Sequence, residues 1–149
     1  MKELKISAIR DGTVIDHIPA KNAFKVAQVL DLEKHGNVVS VATNLKSKKV
    51  NKKGIVKVGG RNITQDEANK IALLAPSASL SIIQNYNVVK KFKLNLPKNV
   101  LNIIKCNNPK CITNMETVPT KFAILKDDPL KARCLYCERV MVEGEIRIL

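Results

Sequence analysis

CNNPKCITNMETVPTKFAILKDDPLKARCLYC, residues 106–137, holds all four cysteines of the chain. They stand at Cys106, Cys111, Cys134 and Cys137, spaced C-x4-C-x22-C-x2-C. Two close pairs on either side of a longer insert form the pattern of a tetrahedral structural metal site. Thiolate sulfur suits zinc, with iron in the same ligands as the alternative. Four protein ligands leave no position open for water. One Zn2+ per chain is therefore expected to hold structure and not to catalyse.

Other uses of the cysteines fit less well. Two disulfides call for an oxidising compartment. The sequence shows no secretory signal pattern and no apolar run long enough to span a membrane, so a cytoplasmic protein without a membrane partner is expected. A redox C-x-x-C at Cys134–Cys137 would need no partner pair, and it normally opens a helix after a strand. After Cys137 no helical pattern follows.

The cysteines also divide the chain. Residues 94–99 (LNLPKN) read as a linker, which gives a first domain over 1–94 and a second over 100–149. The second is near the size at which a core alone is insufficient. Its short strand signals lie near 101–105, 121–126, 131–134 and 139–148, the pattern of a small all-β zinc-binding domain. Structural zinc supplies about 10–16 kcal/mol of apparent binding free energy in such modules, so the metal is expected to keep this one folded.

The first domain alternates strand and helix signals. Residues 3–10 (ELKISAIR) alternate apolar and polar and predict a strand. Residues 11–19 (DGTVIDHIP) carry turn residues at both ends and predict a loop. From Ala20 to about Lys34, the positions Ala23, Phe24, Ala27 and Leu30 recur at helical spacing, with Gly36 as the C-cap. Residues 37–45 and 54–58 predict strands. Thr64 opens T-Q-D-E, a capping box with Glu67, before a helical face of Ala68, Ile71, Ala72 and Leu74 that stops at Pro76. Residues 78–84 and 86–92 predict two further strands. The order β-α-β-β-α-β plus one strand predicts an α+β, ferredoxin-like split βαβ sandwich, an antiparallel sheet with two helices on one face.

Charge separates the two halves. Residues 1–100 hold 18 Lys and Arg against 7 Asp and Glu, a net of +11, whereas residues 101–149 carry +2. The first hundred residues thus call for an anionic partner, or form a lysine-rich solvated surface. Aromatic residues are only 3%, with no Trp. Single-strand binders rely on aromatic stacking platforms, so a zinc-ribbon nucleic-acid-binding protein is the weaker alternative and no nucleic-acid partner is expected. No catalytic constellation is present: G-x-S-x-G, Walker A and G-x-G-x-x-G are all missing. The two histidines, His17 and His35, stand apart in sequence. A binding or regulatory role is expected, not an enzyme.

GTVIDHIPA (12–20), APSAS (75–79), NYNVVKK (85–91) and the cysteine frame resemble the regulatory chain of aspartate carbamoyltransferase, nearly end to end. The resemblance implies a non-catalytic subunit that binds CTP, UTP and ATP and allosterically tunes a separate catalytic chain in pyrimidine biosynthesis. It implies pairing of regulatory chains through the first domain, and a zinc domain that grips the catalytic chain.

The resemblance also implies residue roles. Asp16 would accept from the ribose hydroxyls, and His17 would neighbour the phosphates. Lys57 would contact base and ribose, and Lys91, beside Lys90, the triphosphate. Ala8, Ile9, Val14, Ile83, Tyr86 and Val88 would line the base and sugar. Asn108, Tyr136 and Glu138 would face the catalytic chain. From the residues alone, Asp16 reads as a turn residue, each lysine as a solvated side chain, and the six lining residues as strand core. Asn107, Asn108 and Pro109 form a turn that two ligands require. Ser7 and Ser81 depart from the bacterial pattern, which has an acidic residue and an Asn there, so effector preference is not implied. Lys105, Lys110, Arg133 and Arg139 adjoin the ligands and offset thiolate charge.

Overall fold

The stretch GTVIDHIP, expected to be a loop, is the central strand of the first sheet, β1 (Gly12–Pro19). The structure, a computed structural model, describes residues 8–47 and 52–149. Most of the strand expected over 3–10 lies outside the described residues, and Ala8–Arg10 are not in a strand. The alternation expected of a strand is broken in β1. Against the neighbouring strand, Ile15 pairs with Val56 and Ile18 with Gly54, so Asp16 and His17 form a bulge with one residue too many. His17 takes φ 61° there. A bulge puts two inward residues three apart instead of two, which defeats a period-2 reading.

The chain divides into two compact units, Met1–Asn95 and Leu96–Leu149. In the first, β1 is followed by a 3-10 turn (Ala20–Asn22), α1 (Ala23–Val29), β2 (Val39–Lys46), β3 (Lys52–Gly59), α2 (Gln65–Leu74), β4 (Ser79–Gln84) and β5 (Asn87–Lys93). The sheet order is β2-β3-β1-β4-β5, every neighbouring pair antiparallel. β3 is inserted between β1 and β2, which flank α1: the split βαβ arrangement, with β5 added as a hairpin.

Ile15, Ile18, Val56, Val58 and Leu80 of the sheet are buried, as are Ala23, Val26, Leu30, Ile71 and Ala72 of the helical segments. Each large aliphatic side chain so buried contributes about 1.5–3 kcal/mol. Phe24, expected on the inward stripe, is 62% exposed; Val26 fills the stripe with Ala23 and Leu30. α1 also ends earlier than expected. Asp31, not Gly36, takes the left-handed conformation (φ 54°) that stops it, as a short polar side chain can. The capping box of α2 forms: Thr64 Oγ1 accepts from the Glu67 N–H, and Glu67 accepts from the Thr64 N–H.

The second unit is mostly β. β6 (Asn99–Leu101), β8 (Lys121–Asp127), β9 (Leu130–Cys134) and β10 (Val140–Val142) form one sheet in the order β10-β9-β8-β6. β7 (Ile104–Lys105) and β11 (Arg147–Ile148) form a second. One helical turn, α3 (Ile112–Met115), follows Cys111 and had no sequence signal. Phe122, Ile104, Met141 and Ala132 are wholly buried.

Candidate functional site

Strand register gathers a set of polar residues on one face of the first sheet. Lys57 of β3, Val14 of β1, Ser81 of β4 and Lys91 of β5 are directly opposite one another in successive pairs. Residues opposite in register share a face. It is the face away from the buried Ile15–Val56–Leu80 row. Two residues along, Asp16 pairs with Ser79, and Ser79 with Lys93. Two residues the other way, Gly12 pairs with Ile83, and Ile83 with Val88. Six residues singled out from the sequence (Val14, Asp16, Lys57, Ile83, Val88 and Lys91) thus share one face of the sheet, with Ile83 buried in it and Val88 exposed.

The bulge sets Asp16 and His17. Asp16 Oδ1 accepts from the His17 N–H at 2.6 Å, and His17 Nδ1 lies 3.1 Å from Ser79 Oγ. The Lys53 ammonium sits 2.8 Å from Asp16 Oδ1 and 3.1 Å from Oδ2. Burial pushes the Asp16 carboxyl up, but Lys53 and the His17 N–H outweigh it and hold its pKa below the ordinary 3.8. Asp16 is therefore an ionised acceptor at neutral pH.

Ala8 and Ile9 precede β1, the first exposed and the second buried. The β4–β5 turn docks beside them: the Tyr86 N–H donates to Arg10 O at 2.8 Å, and the Asn85 N–H to Asp11 Oδ1 at 3.1 Å. Asn85 and Tyr86 both have positive φ, the geometry of a tight hairpin turn, and the Tyr86 ring is exposed. Sequence reasoning missed Lys53, Ser79 and Lys93. For Lys53 the signal was available, since it shares the parity of Lys57 along β3.

In the second unit the four cysteine sulfurs converge. All lie within 4.8 Å of one another, with Cys106–Cys137 at 3.6 Å and Cys111–Cys134 at 3.8 Å. A tetrahedron of sulfurs about 2.3 Å from a zinc ion has edges of about 3.8 Å. The thiols are free of disulfides, and the set fits a thiophilic ion. Burial pushes the Cys106 thiol up to about 12 and also raises Cys134. Burial acts the same way on Cys137, but the Arg139 N–H, the Asn108 side chain and the neighbouring sulfurs bring it down to about 7. Cys106 and Cys134 thus hold their protons more tightly than an ordinary thiol, and a bound cation would draw them off.

Local hydrogen bonds shape both loops. The Cys111 N–H donates to Asn108 O, and Asn114 Nδ2 donates to Cys106 O and Asn108 O, each at 2.8 Å from Nδ2. Thr113 Oγ1 donates to Cys111 Sγ at 3.1 Å. In the second loop the Glu138 N–H donates to Cys134 O at 2.9 Å, with Glu138 at φ 65°. Tyr136 is exposed, with the Lys121 ammonium 5.9 Å from its ring centre. Asn108, Tyr136 and Glu138 therefore all stand on the cysteine loops. No helix among the described residues is long and apolar enough to cross a membrane.

A basic-faced split βαβ sheet joined to a four-sulfur module defines a two-part regulatory chain, and comparison with known proteins agrees. Residues 4–95 match the family model of the aspartate carbamoyltransferase regulatory chain, allosteric domain, and residues 98–147 that of its metal binding domain. The chain is 54% identical over 148 residues to the aspartate carbamoyltransferase regulatory chain of Pyrococcus horikoshii, covering 98% of this chain and 97% of the relative. It is 53% identical over 148 residues to that of Pyrococcus abyssi, with the same coverage. To that of Sulfolobus acidocaldarius it is 50% identical, covering 97% and 90%. The chain belongs to the aspartate carbamoyltransferase regulatory chain family. It is a regulatory subunit and not a catalytic one.

Proposed function

We propose that this chain binds nucleoside triphosphates (CTP, UTP and ATP) on the open face of its first sheet, within residues 1–94. Its 100–149 domain holds one structural Zn2+ and grips the catalytic chain of aspartate carbamoyltransferase in the cytoplasm. Regulatory chains pair through the first domain. The outcome is control of carbamoyl-aspartate formation in pyrimidine biosynthesis.

The observation that carries this reading is the register row Lys57–Val14–Ser81–Lys91 with ionised Asp16 one step away. A carboxylate suits the two vicinal ribose hydroxyls. An ammonium is a compact point charge suited to phosphate. Lys57 and Lys91 are separated by the width of two strands, β1 and β4, or about 14 Å of backbone spacing. That span matches a nucleotide laid across the sheet, base and ribose toward Lys57 and phosphates toward Lys91. Val14, Val88 and Tyr86 supply apolar surface between and beside them, with Ile83 buried beneath, and Ala8 and Ile9 supply backbone groups. His17 adds a phosphate neighbour. Asn108, Tyr136 and Glu138 supply the contact with the catalytic chain.

Regulation follows by linkage. A nucleotide that binds one global state of the complex more tightly shifts the assembly toward it, with typical coupling of about 1–3 kcal/mol. The test is titration calorimetry of the full chain with each nucleotide, then activity of the reconstituted complex at fixed aspartate. Binding with a shifted aspartate response is expected. Absence of nucleotide binding, or an unchanged response despite it, would reject the reading.

A further inference from the structure

Beside the metal centre lies a cleft of about 630 Å3, lined by Lys105, Asn107, Pro109, Asn114, Glu145 and Arg147, with Cys106 at its base. Lys105 and Arg147 are the directly opposed residues of the β7–β11 pair. Like charges in that position destabilise a strand pair. Among the described residues, neither side chain makes an ion pair or hydrogen bond. The cleft's one carboxylate, Glu145, is already engaged: Oε1 accepts from the Val142 N–H and Oε2 from Asn107 Nδ2, both at 3.1 Å. Asn107 in turn accepts from Arg139 at 3.4 Å, which adds a third cation at the rim.

Two adjacent cations, neither paired with a carboxylate, in a concave site edged by amides, form a receptor for one. Arg147 offers a planar fork that fits both carboxylate oxygens, and Lys105 a point charge beside it. Asn114 also ties the cleft to the cysteine loop, since its amide donates to Asn108 O. We propose that the Lys105–Arg147 cleft receives an acidic side chain, Asp or Glu, of the aspartate carbamoyltransferase catalytic chain. This rests on the reading above, in which the metal-binding unit docks that chain.

The test uses the full zinc-loaded chain and separately purified catalytic chain from the same source. Association is measured at rising NaCl for the unaltered chain, for Lys105→Gln, for Arg147→Gln and for the double variant, with zinc content read in parallel. The double variant is expected to associate about tenfold more weakly or worse at low salt, to show a flatter salt dependence, and to retain its zinc. Each single variant is expected to fall between. Unchanged affinity and salt dependence with zinc retained would overturn the proposal. So would weakening matched by zinc loss in all three variants, since the two cations would then only balance thiolate charge. Should inorganic phosphate bind the cleft while association ignores both residues, the cleft is a small-anion site and the proposal fails. If the unaltered chain does not associate at all, the docking reading has failed and this proposal with it.

Discussion

Asp16 and Lys53 are joined across β1 and β3 by a 2.8 Å ion pair, with only 25% and 20% of the respective side chains exposed. The pair sits at the bulge that turns Asp16 toward the open sheet face, so one contact serves both stability and presentation. Its pH dependence has a definite sign. The folded pKa of Asp16 lies below the ordinary 3.8. The pair's stabilisation is therefore complete above the unfolded carboxyl value, near pH 4, and is lost as pH falls through the folded value. Lys53→Met is expected to cost about 1–2 kcal/mol at pH 7. The difference from the unaltered chain should shrink steadily below pH 4. Urea unfolding at pH 7 and pH 3 checks this, and an equal difference at both would show that Lys53 acts by packing alone.

Gly54 has a clearer packing role. It lies on the helix face of β3, and a Cβ built there would stand 2.6 Å from Ala23 Cβ and 3.3 Å from Ala42 O. Both neighbours are fixed, one at the start of α1 and the other in the next strand. Gly54→Ala is expected to destabilise the first unit by about 1–3 kcal/mol, the usual cost of overpacking. Thermal unfolding should show a Tm several degrees lower. An unchanged Tm would mean that α1 shifts freely, against the packing described.

How much was legible follows from residues such as these. The α2 capping box, the β4–β5 hairpin and the cysteine frame are local patterns, and each formed where the sequence placed it. β1 reads as a loop because the Asp16–His17 bulge breaks the alternation that marks a strand. The end of α1 falls before Gly36 because Asp31 takes the conformation expected of the glycine. Among the candidate site residues, Lys57, Val14 and Lys91 are far apart in sequence and met only through register. Lys53, Ser79 and the Lys105–Arg147 opposition depend on cross-strand pairing that no single stretch reveals.

The two ends of the proposed nucleotide site can be told apart by truncating the ligand instead of the protein. Lys91→Gln is expected to weaken CTP binding about tenfold while leaving cytidine nearly unchanged, because a phosphate contact is lost. Lys57→Gln is expected to weaken both by similar factors, as a base and ribose contact would. Calorimetry with CTP and cytidine on the three chains decides. Equal losses for both ligands in Lys91→Gln would remove it from the phosphate end.

The four-sulfur centre makes the most severe prediction. The apolar core of the second unit is small, with Val100, Ile103, Ile104, Phe122, Leu130 and Met141 as its large buried side chains, and burial raises the Cys106 and Cys134 thiols. Removing the proposed Zn2+ would therefore remove on the order of 10–16 kcal/mol of folding free energy, more than a typical domain possesses. Cys111→Ala, or a strong chelator, is expected to unfold β6–β11 and abolish association with the catalytic chain. The first sheet should remain folded and continue to bind nucleotide, since its core shares no residue with the cysteine module. Hydrogen exchange resolved by segment, with calorimetry for CTP, separates the two units. Protection lost over both together would show that the metal supports the whole chain. Protection kept over β8 and β9 would show that the second core stands without it.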